Sequence, residues 1–141
     1  MDPIFKNILA VIAGCIVGMV VNFGFISLGA HLIPAPEGVN PEDINSLKEN
    51  MHLFTPKHFI TPFLAHAGGT LAGAYVAARI AAKYKLGIAL TIGGFFLLGG
   101  VAMVMMVPAP QWFSALDLIV AYIPMAWLGA KLAGTQEKNI A

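Results

Sequence analysis

Twenty-six consecutive residues, Ile8 to Ile33, contain no Asp, Glu, Lys or Arg, and His31 is their one imidazole. At the rise of an α-helix that run is about 39 Å long, against a bilayer hydrocarbon core of about 30 Å. A segment of this kind is a membrane span or the buried centre of a large protein. The rest of the chain decides between them. It has 141 residues, 58% of them hydrophobic and 11% charged, with mean hydropathy +0.79, whereas soluble domains are about a quarter charged. A water-soluble core of this size could not hide that much apolar surface. The sequence predicts an integral membrane protein with the lipid bilayer as its solvent and partner.

Three further apolar stretches follow. Phe59 to Ala82 contains only His66 and Arg79 as polar ionisable side chains besides Tyr75, and Arg79 is near enough to the end to snorkel. Leu86 to Val107 has no ionisable group. Phe113 to Leu132 is just long enough to cross and contains Asp117 and Pro124. The expected fold is all-α, a four-transmembrane-helix bundle forming a single membrane domain over 1–141, with spans at about 8–33, 59–82, 86–107 and 113–132.

The outer loop, 34–58, holds four of the seven acidic residues, Glu37, Glu42, Asp43 and Glu49. Within it Asn40-Pro41-Glu42-Asp43 reads as a helix start, with Asn40 as N-cap and proline at the first position. A short amphipathic surface helix is expected to run to about Leu53, its Ile44, Leu47, Met51 and Phe54 spaced by three and four. Pro108 to Trp112 and Lys83 to Lys85 form tight turns.

Six of the eight basic residues, Lys6, Arg79, Lys83, Lys85, Lys131 and Lys138, fall on one side of these spans. Lys48 and Lys57 fall on the other. Positive charge near span ends is retained in the cytoplasm, so both N- and C-termini are expected there, with the acidic loop outside.

Helices in lipid gain nothing from the hydrophobic effect on meeting, so close packing of small residues must attract them. Ala10, Gly14, Gly18 and Asn22 recur at intervals of four, as do Ala65, Gly69, Gly73, Ala77 and Ala81. These stripes predict that the first two spans pack through Gly14, Gly18, Gly69 and Gly73. Gly87, Gly93, Gly94, Gly99 and Gly100 suggest a second contact or a subunit interface. Ala74–Ala81 resembles Ala126–Ala133 in residue character at an offset of 52, as a duplicated hairpin or as two helices of similar composition.

An ionisable side chain in hydrocarbon usually faces the bundle interior with a partner. His66 and Asp117 are expected at similar depth toward the outer side and pointing at each other. The candidate polar cluster is His66, Asp117, His31 and Asn22, with Asn22 hydrogen-bonding across to a neighbour; His52 and His58 belong to the loop. No metal site is expected, because His58 and His66 lie about 12 Å apart along a helix and cannot share an ion locally. No cofactor is expected. Cys15 is the only cysteine, which excludes an internal disulfide. The run Ile12 to Cys15 has the look of a lipoprotein cleavage box, but the residues after it stay apolar, and Cys15 reads as a small buried residue.

No nucleophile elbow, metalloprotease motif or phosphate loop is present. A formal net charge of +1 without a basic cluster gives no footing for nucleic acid. His31 with Pro34 and Pro36, His66 to Gly69, and Pro108 to Phe113 leading into Asp117 resemble a group of small uncharacterised bacterial four-helix integral membrane proteins. That resemblance implies a bacterial inner (cytoplasmic) membrane location and no particular activity. The expected function is non-enzymatic, acting by association as a homo-oligomer or as an accessory subunit of a larger membrane complex. The alternative is a small proton- or cation-linked transporter using the outer His/Asp cluster; a metal-dependent membrane enzyme ranks third.

Overall fold

Asp2 starts the first helix earlier than the uncharged run suggests. In the computed structural model, which describes residues 1–135, the Ile4 N–H donates to the Asp2 carboxylate at 2.7 Å and Pro3 fills the first position, so α1 runs Pro3–Leu32. The other helices are α2 (Ile44–Asn50), α3 (Ile60–Ile80), α4 (Lys85–Met106), α5 (Gln111–Val120) and α6 (Ile123–Leu132), with 3₁₀ turns at Met51–Leu53 and Pro56–Phe59. No strand occurs among the described residues. Lys138 lies outside them.

Three helical stretches are long and apolar enough to cross a membrane: Pro3–Leu32, Lys85–Met106 and Gln111–Leu132. The expected second span, α3, is not one of them. Its 21 residues carry His66, Thr70 and Arg79 among alanines and glycines, because this helix turns most of its surface toward protein. Ala65, Ala67, Gly69, Thr70, Gly73, Ala74, Ala77 and Ala78 are all buried. A helix shielded by its neighbours does not need the leucines and isoleucines that a lipid-facing one carries.

The small-residue stripes meet. A methyl group placed on Gly73 would stand 2.5 Å from the Gly14 carbonyl oxygen, and one on Gly69 would stand 2.7 Å from that of Gly18. The two backbones are therefore in direct contact, and the pairing of 14 with 73 and 18 with 69 makes α1 and α3 antiparallel. On the other side Gly129 of α6 lies against Leu71 and Tyr75 of α3, and Gly93 of α4 against Ala126. The core is accordingly Ala74, Ala77, Ala78, Ala89, Ile92, Ala126 and Ala130. The Ala-rich segments that resemble each other in sequence thus share one buried face. Ile8, Ile12, Ile16, Val20 and Phe23 point outward from α1, an arrangement suited to a lipid surround.

Two expectations about the ends of helices are corrected. Asn40 does not cap the loop helix; its side chain accepts from the Glu42 N–H in a turn, and Asp43 caps instead through the Asn45 N–H. The α-helix stops at Asn50, with Met51–Leu53 continuing as a 3₁₀ turn. The last apolar stretch is not one helix but two, divided at Ala121 and Tyr122. Pro124 explains the break, since it has no N–H for the carbonyl four residues earlier and its ring crowds that carbonyl. At the opposite end of the bundle Asn7 closes the α3–α4 turn: its side chain accepts from the Ala82 N–H at 2.9 Å and donates to the Lys83 carbonyl at 3.2 Å. That turn holds Tyr84 at φ 54°, in the left-handed region.

Candidate functional site: a half-buried histidine on a buried aspartate and tyrosine

Asp117 lies one turn from the end of α5, and only 3% of it is exposed. Its carboxylate is met from two sides. His66 of α3 places Nδ1 2.9 Å from Oδ1 and 3.0 Å from Oδ2, and the Tyr122 hydroxyl donates to Oδ2 at 3.0 Å. The helix break puts Tyr122 there, for it turns the ring back toward Asp117 and over His66, with ring centroids 5.8 Å apart and ring planes 27° apart. The hydroxyl in turn fits only because Gly100 of α4 has no side chain; a methyl there would stand 2.5 Å from it.

An ionised carboxylate can only accept. Against it His66 must carry its proton on Nδ1, which leaves Nε2 without a protein partner among the described residues. Such an arrangement fixes the tautomer and orientation of the imidazole and leaves one nitrogen for exchange. Imidazole is the side chain suited to loading and unloading a proton near neutrality.

Two cavities meet at His66, and Asp117 lines the outer of them. The inner one, about 210 Å³, is lined by Asn22 of α1, His66, Gly69 and Thr70 of α3, Phe96 and Met103 of α4, and Tyr122. Thr70 follows His66 by one turn, is 1% exposed, and its hydroxyl has no hydrogen-bond partner. Leaving a buried hydroxyl unpaired costs on the order of 1–3 kcal/mol, which the close packing around Thr70 has to offset. The outer cavity, about 240 Å³, lies under the loop and is mostly apolar, with Ile26, Leu47, Met51, Phe54, Val104 and Phe113 in its walls. His66, Gly100 and Met103 line both. His66 is thus the polar group common to the two chambers.

The candidate residues are distributed as follows. His66 and Asp117 come together. Asn22 reaches the inner cavity, but among the described residues its side chain makes no hydrogen bond, so the expected bond across to a neighbouring helix is corrected to an amide facing open space. His31 stays apart, its Nδ1 2.8 Å from the Ser27 carbonyl of its own helix. His58 Nδ1 accepts from the Thr55 N–H at 2.9 Å, capping the turn before α3, and its side chain lines the outer cavity. Cys15 is half-buried against the core, less enclosed than expected. Among the described residues no three of His, Cys, Asp and Glu gather as a metal set would require.

Sequence reasoning missed Tyr122 and Thr70. Each had a signal. Thr70 is four residues from His66, on the same helix face, and Tyr122 lies two residues before the proline that breaks the last span.

Fold and site together define an all-helical bundle of apolar exterior with a hydrogen-bonded ionisable centre. No protein-family model, curated protein or solved structure matches this chain.

Proposed function

We propose that this chain is a small proton-linked membrane transporter, crossing a bacterial inner membrane four times with both termini in the cytoplasm. The observation that carries the reading is the His66, Asp117 and Tyr122 set at the junction of two cavities, the inner one less apolar than the outer. An ionisable group kept inside such a bundle is expensive unless it works. Here His66 takes a proton from one chamber on Nε2 and releases it to the other, while Asp117 holds the ring and balances the imidazolium, and Tyr122 fixes the second carboxylate oxygen.

Four crossings fit the helix directions, since α3 runs antiparallel to α1 through the same layer, and its length of 21 residues matches the hydrocarbon thickness. The basic ends support the orientation, and Lys131 lies 4.5 Å over the ring of Trp127 as an interfacial anchor. Action by association is the second reading, and the α4 glycines that suggested a subunit interface divide between the two: Gly93 and Gly100 meet Ala126 and Tyr122 inside the chain, whereas a methyl on Gly94 or Gly99 would have no atom within 4 Å.

The test is proton entry into vesicles carrying the purified protein, read by an internal pH-sensitive dye under an imposed potassium diffusion potential. The parent should exceed protein-free vesicles, and His66→Gln and Asp117→Asn should each reduce the protein-dependent rate by roughly tenfold or more. Parent and protein-free vesicles alike, or variants as fast as the parent, would refute the reading.

A further inference from the structure

A further hollow lies on the flank of the bundle, between α3 and α5. It is a groove of about 480 Å³, larger than either cavity at His66 and within the range of ligand pockets, about 300–1,000 Å³. Both helices start at the loop end of the bundle and run the same way. Ile60 and Leu64 of α3, and Trp112 and Leu116 of α5, each pair one turn apart, are exposed and form the two banks. Phe59 and Phe113 are the floor, 6% and 8% exposed, with ring centroids 4.7 Å apart. The groove therefore runs along the helices. Lys57, in the 3₁₀ turn that leads into α3, lines it at the loop end.

From this alignment of an apolar trough with a cation at its head, we infer that the groove binds one anionic glycerophospholipid, an acyl chain along the phenylalanine floor and the phosphate on Lys57. The inference goes beyond the transport reading and uses none of the His66, Asp117 and Tyr122 set.

Charge complementarity selects the occupant. The one ion pair among the described residues joins His66 to Asp117, so Lys57 has no carboxylate partner there. The Trp112 indole N–H can only donate, and among the described residues it has no acceptor. No Asp or Glu lines the groove. Its polar groups are thus donors alone, and a phosphodiester offers acceptors alone together with one negative charge. An apolar solute would fill the trough and leave both donors unanswered. A second copy of the chain meeting this face across a two-fold axis would set groove against groove, and the floor would stay unfilled. Trp112 at the start of α5 also stands at the depth where indole rings border the head groups.

Trp112 is in the groove wall, so the site carries its own reporter: brominated acyl chains quench tryptophan fluorescence on contact. In Trp127→Phe, where Trp112 alone reports, the whole protein is reconstituted into vesicles of phosphatidylcholine with increasing shares of phosphatidylglycerol. One lipid at a time is brominated in the upper part of its chain. Phosphatidylglycerol should quench Trp112 with an apparent affinity roughly fivefold above that of phosphatidylcholine, the factor one basic side chain at a membrane surface contributes. Lys57→Gln should bring the two lipids to parity. Lys48→Gln removes the loop's other base, which does not line the groove, and should leave the preference intact, separating the site from general surface charge. Both lysines are exposed, so neither variant disturbs the packing. In Trp112→Phe, where Trp127 reports instead, Lys57→Gln should change nothing. No preference at Trp112, a preference that survives Lys57→Gln, or little quenching by either lipid, as a protein partner seated on the groove would give, overturns the lipid site.

Discussion

Replacing Gly73 by alanine adds one methyl group where α1 and α3 touch. That methyl would lie 2.5 Å from the Gly14 carbonyl oxygen, 3.2 Å from the Gly18 Cα and 3.3 Å from Ile92. Ordinary contact begins near 3.4 Å, so the helices must part by about 0.9 Å at that point. Backbone cannot rotate out of the way as a side chain does. Overpacking of this kind costs about 1–3 kcal/mol, against a gain of up to about 1 kcal/mol from the better helix propensity of alanine. The expected result is a net loss of about 1–2 kcal/mol, and more for Gly73→Leu. Gly94→Ala is the matched control, because no atom lies within 4 Å of its added methyl; there only the propensity gain remains. Thermal unfolding in mild detergent, followed by loss of helix signal or by a thiol probe at Cys15, should lower the Tm of Gly73→Ala and leave that of Gly94→Ala equal or higher. Equal shifts for the two variants would show that the glycine contact does not hold the bundle together.

The His66 and Asp117 pair should be energetically coupled: His66→Leu and Asp117→Leu, singly and together, should give stability changes that miss additivity by more than about 0.5 kcal/mol, and additivity within that margin would count against the pairing. Tyr122→Phe removes one hydrogen bond to the carboxylate and should cost about 1.5–3 kcal/mol in the same unfolding assay, while Tyr75→Phe, whose hydroxyl has no side-chain partner among the described residues, should cost less. Asn7→Ala unties the α3–α4 turn and should lower stability by about 1 kcal/mol, with hydrogen exchange at the Ala82 amide rising first. A reporter active only in the cytoplasm, fused after Ala141, should be active, and activity of a periplasm-only reporter there would invert the orientation.

Much of this fold is written in residues whose physics is one-dimensional. An uncharged run states its own helix, and glycines at intervals of four state a close contact, so α1, α4 and the α1–α3 interface are legible without coordinates. The meeting of His66 and Asp117 was legible from depth alone, each being the one acidic or imidazole group within its apolar segment. What was illegible depends on neighbours. The modest hydropathy of α3 records burial by other helices, which no window along the chain can sense. Asp43 outcompetes Asn40 as the cap because Asn40 is drawn into its own turn with Glu42 and Ser46. Pro124 announced a disturbance, but only the tertiary arrangement shows that the disturbance aims Tyr122 at Asp117. Thr70 looked like one more small residue in an alanine-rich helix until the cavity beside it came into view.

The two halves of α4 take their contacts from different places. Ala89, Ile92 and Gly93 are buried within the chain, whereas Val101 to Met106 are all exposed although Met103 and Val104 also border the outer cavity. Those two side chains therefore form a wall one residue thick, with the outer chamber on one side and the surroundings of the bundle on the other.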